Sequence, residues 1–150
     1  MARNVRFKLE GLKELEQALG ELPRATQRNV LRRVLEDAGE PIARAARSRA
    51  PRDVGNLVES IDVSQRLTRR QKARHQKVAG VEMHVGAGAN PQSITQEFGT
   101  FKEPAQPFMR PAWDGEKHGA MNLIYNSLWG EIEAAAARAA RKAARLARKG

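Results

Sequence analysis

Three histidines, His75, His84 and His118, are the residues here best suited to bind a metal or shuttle a proton, and they stand far apart in the chain. A zinc or iron site needs imidazoles and carboxylates that converge on one point, commonly announced by a short ligand repeat. None of the three has a second His or carboxylate at such a spacing, so the sequence assigns no metal site. His84 falls on the polar side of an alternating run and reads as a surface histidine. Nucleophilic chemistry fares no better, because the chain has no GxSxG, no HExxH and no P-loop. The run VGAGAN, residues 85–90, resembles half of a dinucleotide fingerprint, but it lacks the third glycine and no βαβ unit follows. It reads as a turn that ends a strand. Without Cys, neither a thiolate nor a disulfide framework is available. The expectation is a protein that is not an enzyme, with no catalytic residue, no cofactor and no metal.

Charge is the next chemistry on offer. The net charge is +10, and its distribution is uneven. Residues 66–77 (RLTRRQKARHQK) hold six Lys/Arg and no acid, and residues 134–150 (AAAARAARKAARLARKG) hold another six and no acid. Those twelve removed from 27 leave 15 against 17 acidic residues, so the body of the chain is near neutral. Arg69, Arg70, Lys72 and Arg74 in the first segment are candidate contacts to DNA or to an acidic partner. So are Arg138, Arg141, Arg145 and Arg148 in the second, which step by three and four along one helical face. Such cations give sequence-independent, salt-sensitive binding to phosphates, or they meet an acidic neighbour, or they stay solvated. No aromatic interleaves the tail charges, so bases have nothing to stack on. The opposite tail face is mainly Ala and buries too little for a membrane-surface helix. No apolar run approaches the roughly 20 residues that span a bilayer. The start, MARNVRFKLEG, lacks the apolar region of a secretory signal, which points to synthesis in a cytoplasm.

The segment TQEFGTFKEPAQPFMRPAWD, residues 95–114, differs from everything around it. Three of the four Phe and one of the two Trp fall inside it, with Gly99, Pro104, Pro107 and Pro111. Proline reduces the conformations of the free chain, so a stiff, extended segment loses less entropy on docking. Aromatics are common interface anchors. Glu97, Phe98, Gly99, Thr100, Phe101, Pro107, Phe108, Arg110 and Pro111 are therefore candidates for an interface between subunits. The alternative is a strand plus loop packed inside its own domain, and the residues alone leave both open.

The elements that must position these residues follow from periodicity. Residues 4–9 alternate Val5, Phe7 and Leu9 with polar neighbours, as a strand with one buried face does. Leu12, Leu15 and Leu19 then predict a short amphipathic helix, stopped near Gly20 and Pro23. A longer helix is expected over 24–49, with Val30, Leu31, Val34, Leu35, Ala38, Ile42, Ala45 and Ala46 on one stripe and Pro41 kinking it. Gly55 supplies a turn. Alternation over 61–67 and 81–85 predicts two strands, antiparallel, joined by 66–77 as a mobile hairpin loop. Met121, Ile124, Tyr125, Leu128 and Ile132 predict a third amphipathic helix, which continues as an Ala-rich basic rod favoured by propensity. The fold class is α+β: a small, mainly antiparallel sheet packed by a long kinked helix, with a C-terminal helix leaving the body. Residues 1–133 form the expected domain and 134–150 a basic helical extension. With 41% hydrophobic residues and a mean hydropathy of −0.62, the core should be thin.

The ordering of these segments carries a resemblance. Ala50-Pro51, Gly55-x-Leu57, Ser60-Ile61, then Glu97 to Thr100 and Pro104 to Ala112 resemble the tail-component family of long-tailed, lambdoid-type bacteriophages. The Gly11 to Leu15 start and the long helix after it also fit, so the similarity covers about residues 5–133. The chain departs from the family pattern at Val54, where Thr is usual, and at NPQSITQ, which lacks an aromatic. The resemblance implies a structural virion protein of the neck, assembled in the host bacterial cytoplasm. It would form a ring, expected to hold six copies, that terminates or completes the tail tube and joins it to the head connector. DNA would pass through the lumen. The implied partners are other copies of the chain and the neighbouring head-connector and tail-tube proteins.

Overall fold

A computed structural model of the protein describes residues 11–52 and 56–149. The expected strand over 4–9 and the turn at Gly55 lie outside those residues.

Two long helices, α2 (Arg24–Arg49) and α6 (Met109–Ala147), form the spine. They run antiparallel. Ala43 and Ala46 meet Phe108 and Ala112 at one end, and Val30 and Val34 meet Leu128 and Ile132 at the other. The buried stripe of α2 is Val30, Val34, Ala38, Ile42 and Ala46, each one turn from the next. Leu31, Leu35 and Ala45 flank it half-buried. The stripe changes character along its length. Branched residues at the N-terminal half fill space between helices, and small ones (Ala38, Gly39, Ala43, Ala46) let neighbours approach closely. Each fully buried Val or Leu contributes about 1.5–3 kcal/mol, and Val30, Val34 and Leu128 bring that contribution to this pair. Pro41 lies inside α2, where it withholds the N–H that would bond to the Asp37 carbonyl. The helix ends at Ala50, which adopts an extended conformation before Pro51.

Helix α1 (Leu12–Gly20) lies over the far end of this pair, inserting Leu15 beside Leu128 and Ile132. At the near end, the short helix α3 (Leu57–Ser60) leads into strand β1 (Asp62–Ser64), which pairs antiparallel with β2 (His84–Gly86) in the register Val63 to Val85. A two-stranded ribbon is marginal alone; here it rests on α2. The closeness is set by Gly39, where an added Cβ would lie 2.8 Å from a Val63 methyl carbon.

Both strands are shorter than the alternation predicted, because β1 gives way to a second local structure. Residues 66–77 are not simply a loop. Helix α4 (Arg69–Arg74) occupies their middle, held by a capping box. The Gln71 N–H donates to Thr68 Oγ1 at 3.2 Å, and the Thr68 N–H donates to Gln71 Oε1 at 2.9 Å. A second correction concerns residues 95–114, expected as extended chain. Their first part belongs to helix α5 (Gln92–Phe98), and α6 begins at Met109, twelve residues before the expected Met121. Pro111 does not oppose this start, since the first turn of a helix has no internal use for that N–H.

Helix α6 continues well past the body. Ile132 and Ala135 are its last buried residues, and from Ala136 to Lys149 every residue is exposed.

Candidate functional site

The aromatic segment is organised by one carboxylate. Gln96 and Glu97 are the buried residues of α5, and Gly99 ends that helix with φ 75°. A Cβ at position 99 would lie 2.7 Å from the Ala105 backbone nitrogen, so the tight return that follows requires glycine twice over. Thr100 closes the return. Its N–H donates to the Glu103 carbonyl at 2.8 Å, and its hydroxyl accepts from the Lys102 and Glu103 N–H groups. The Gln106 N–H then bonds the Gln96 carbonyl at 2.7 Å, bringing the chain back beside α5.

That return sets the start of α6 against Glu97. Phe108 caps the helix and has no side-chain oxygen to offer. Instead Glu97 Oε2 accepts from the Phe108 and Met109 N–H groups at 2.8 and 2.9 Å, and Oε1 accepts from the Arg110 N–H at 3.0 Å. The next residue is Pro111, which has no N–H. Every free donor of the first turn is thus accounted for, by a carboxylate from another segment. The negative charge also sits where the helix dipole favours it. Arg110 closes the clamp: Nε donates to Glu97 Oε1 at 2.9 Å, and Nη2 donates to the Glu97 carbonyl at 2.8 Å. Burial pushes the Glu97 carboxyl up, but hydrogen bonds from Met109, Phe108 and Arg110 outweigh it, and the pKa falls below its ordinary value of 4.5.

The clamp divides the candidate interface residues into two groups. Glu97 and Phe108 turn inward, Phe108 being fully buried among Ala43, Ala46, Leu57 and Ile61. Gly99 and Pro111 are half-buried. Phe98 and Phe101 turn outward, 64% and 95% exposed, together with Thr100, Pro107 and Arg110. The Arg110 guanidinium covers part of the Phe98 ring, 4.8 Å from its centroid. The Phe101 ring carries Lys102 Nζ 5.3 Å from its centroid and otherwise faces solvent among the described residues.

The family described as "Bacteriophage HK97-gp10, putative tail-component" matches residues 13–99, more than half of the chain. The chain belongs to this HK97-gp10-like family. None of the curated proteins and none of the solved structures compared with it matches. The matched region runs from α1 through Gly99 and so contains Glu97 and Phe98, while Phe108 and Arg110, which the clamp joins to them, lie beyond it.

A second concentration of polar groups lies inside the HK97-gp10-like region. A cleft between α2 and the segment around α4 is lined by Arg28, Arg32, Arg66, Lys72 and Lys77, together with His75, Glu82 and His84. Of the four cations expected in the 66–77 segment, Lys72 lines this cleft, and Arg69, Arg70 and Arg74 are exposed on α4 outside its lining. Arg28 and Arg32 were not foreseen as part of it, although their spacing of four on a predicted helix marks one exposed face. Glu82 is tightly held here. Its Oε1 accepts from the Val78 and Ala79 N–H groups at 2.6 and 3.0 Å, and its Oε2 lies 2.6 Å from His75 Nε2. The Ala79 N–H, then His75 and the Val78 N–H, lower its pKa to about 2. Arg138, Arg141, Arg145 and Arg148 lie on the exposed end of α6, with no carboxylate ion-paired to any of them among the described residues.

Proposed function

We propose that this tail component is a structural, non-enzymatic subunit of the head–tail junction. It assembles there with copies of itself into a ring on the end of the tail tube and joins that ring to the head connector, with DNA passing through the lumen. The HK97-gp10-like family supplies the tail role. The observation that carries the assembly reading is the exposed pair Phe98 and Phe101, held on a clamp too well ordered for a free loop. A buried carboxylate, a glycine that admits no side chain and three prolines fix the shape of a surface whose two aromatic rings stay mostly exposed among the described residues. Preorganisation of this kind lowers the entropy lost on docking, and exposed aromatic anchors then supply apolar area. The exposed end of α6, from Ala136 onward, extends the same subunit toward a neighbour.

Native mass spectrometry of the purified chain, alone and with tail tubes, tests this. Phe101→Ala should leave the monomer folded and weaken or abolish the oligomer. Phe108→Ala is the contrasting variant, because it removes a core residue and should lower thermal stability first. A discrete ring that survives both Phe98→Ala and Phe101→Ala would remove this surface from the interface.

The exposed cations of α4 and α6 favour a second reading, in which the chain binds duplex DNA. Deletion of 134–150 with the fold intact should then abolish duplex binding at about 150 mM salt.

A further inference from the structure

We propose that His75, Glu82 and His84 form a binding site for one divalent transition-metal ion of zinc chemistry. Their ligand atoms lie within 4.8 Å of one another. The two imidazoles meet edge to face with centroids 5.2 Å apart, and Glu82 Oε2 lies beside His75 Nε2. Three separate devices hold the groups in place. His75 caps the C-terminus of α4, its N–H bonded to the Gln71 carbonyl, and the Thr68 capping box fixes the other end of that helix. His84 opens β2 and is paired across the ribbon with Ser64. Glu82 is oriented through its other oxygen by two backbone N–H groups, the support that ligating carboxylates characteristically have.

Two imidazoles and one carboxylate are a donor set for zinc or a neighbouring divalent ion, with one position left for water or an anionic oxygen. Tetrahedral ligands at about 2.0–2.1 Å from zinc stand roughly 3.3 Å apart, so a separation near 4.8 Å must close by roughly 1.5 Å while the 2.6 Å His75–Glu82 pair opens slightly. Much of that movement is a rotation of the His75 ring, which lies at the surface and would exchange its hydrogen bond with Glu82 for the metal. The flanking cations Arg28, Arg32, Arg66, Lys72 and Lys77 oppose a dication, so the site is weaker than one built to fold a domain. They also provide a signature. Salt screens this repulsion, so metal affinity rises with ionic strength, whereas a polyanion in the same cleft binds more weakly as salt increases.

The test is calorimetric titration of the full chain with Zn²⁺ alone at two salt concentrations, paired with Co²⁺ titration followed by visible absorption. One equivalent should bind, more tightly at the higher salt. His75→Ala and His84→Ala should each weaken binding at least about tenfold, and His118→Ala should leave it unchanged. Circular dichroism of each metal-free variant separates loss of ligand from loss of fold. Absence of binding up to about 1 mM Zn²⁺, or equal binding by a correctly folded His84→Ala variant, overturns the proposal.

Discussion

Removing the carboxylate of Glu97 should cost more stability than removing any other single charge among the described residues. In Glu97→Ala the N–H groups of Phe108, Met109 and Arg110 lose their acceptor together. An unsatisfied buried donor costs about 1–3 kcal/mol. Only Phe108 is fully enclosed; Met109 and Arg110 lie nearer water and recover part of their loss by solvation. The sum is about 3–4 kcal/mol, a large share of the 5–15 kcal/mol typical of a domain. At roughly 2–4 °C per kcal/mol for a chain of this size, the melting temperature should fall by about 10 °C. Glu97→Gln keeps one acceptor oxygen but turns an amide toward the same N–H groups, and should cost about 2 kcal/mol. Arg110→Ala should cost about 1 kcal/mol, because its side chain is 57% exposed and surface pairs contribute little. Urea unfolding of the three variants, followed by circular dichroism, gives the order Ala, Gln, then the Arg110 variant. If Arg110→Ala proves as damaging as Glu97→Ala, the ion pair and not the capping of α6 is the stabilising interaction, and the reasoning fails. A pH series adds an independent check. The folded pKa of Glu97 lies below the ordinary 4.5, so its contribution is complete above that value and is lost as pH falls through the folded pKa. The advantage of the wild type over Glu97→Gln should therefore shrink below about pH 4.5 and stay constant above it.

Gly99→Ala should destabilise by about 1–3 kcal/mol, because it adds a Cβ at positive φ and presses it against Ala105; a thermal melt within error of wild type would refute this. At Gly39, alanine improves helix propensity by about 1 kcal/mol but must displace the buried, β-branched Val63, at about 1–3 kcal/mol. The net expectation is a loss, read by urea midpoint, with Val63→Ala as the partner variant that relieves it. The end of α6 should be cut by trypsin at Arg138, Arg141 and Arg145 in the free chain, and be protected only in the assembled particle. Resistance in the isolated monomer would show that this end is covered without partners.

Much of the fold was legible because it rests on periodicity. The stripe on α2 is a repeat of one residue in four, and the two antiparallel strands follow from alternation, although their register does not. Helix α4 was missed, although Thr68-x-x-Gln71 signals it, because a run of cations with no apolar face hides a capping box from any argument based on burial. The start of α6 was not legible either. Phe108, Met109, Arg110 and Pro111 make a poor helix opening by themselves, with a bulky cap and a proline. The acceptor that makes them a good one lies eleven residues earlier, across a glycine turn. The histidines show the same limit. His75 and His84 have no ligand spacing in the chain, and they meet only because α4 and β2 converge on Glu82.

By itself the sequence determined α1, α2 and the body of α6, the antiparallel ribbon, the near-neutral body with two cationic segments, and the order of residues that marks a tail component. Those are properties of spacing and composition, which a chain carries whether or not it is folded. Only the tertiary structure decided which aromatics of 95–114 face inward. Phe108 and Phe101 are the same residue type in the same segment. One is enclosed because Glu97 draws the start of α6 onto α2, and the other is left outside because the turn at Gly99 directs it into solvent. Direction relative to a core is fixed by contacts between distant residues, and no local pattern encodes it.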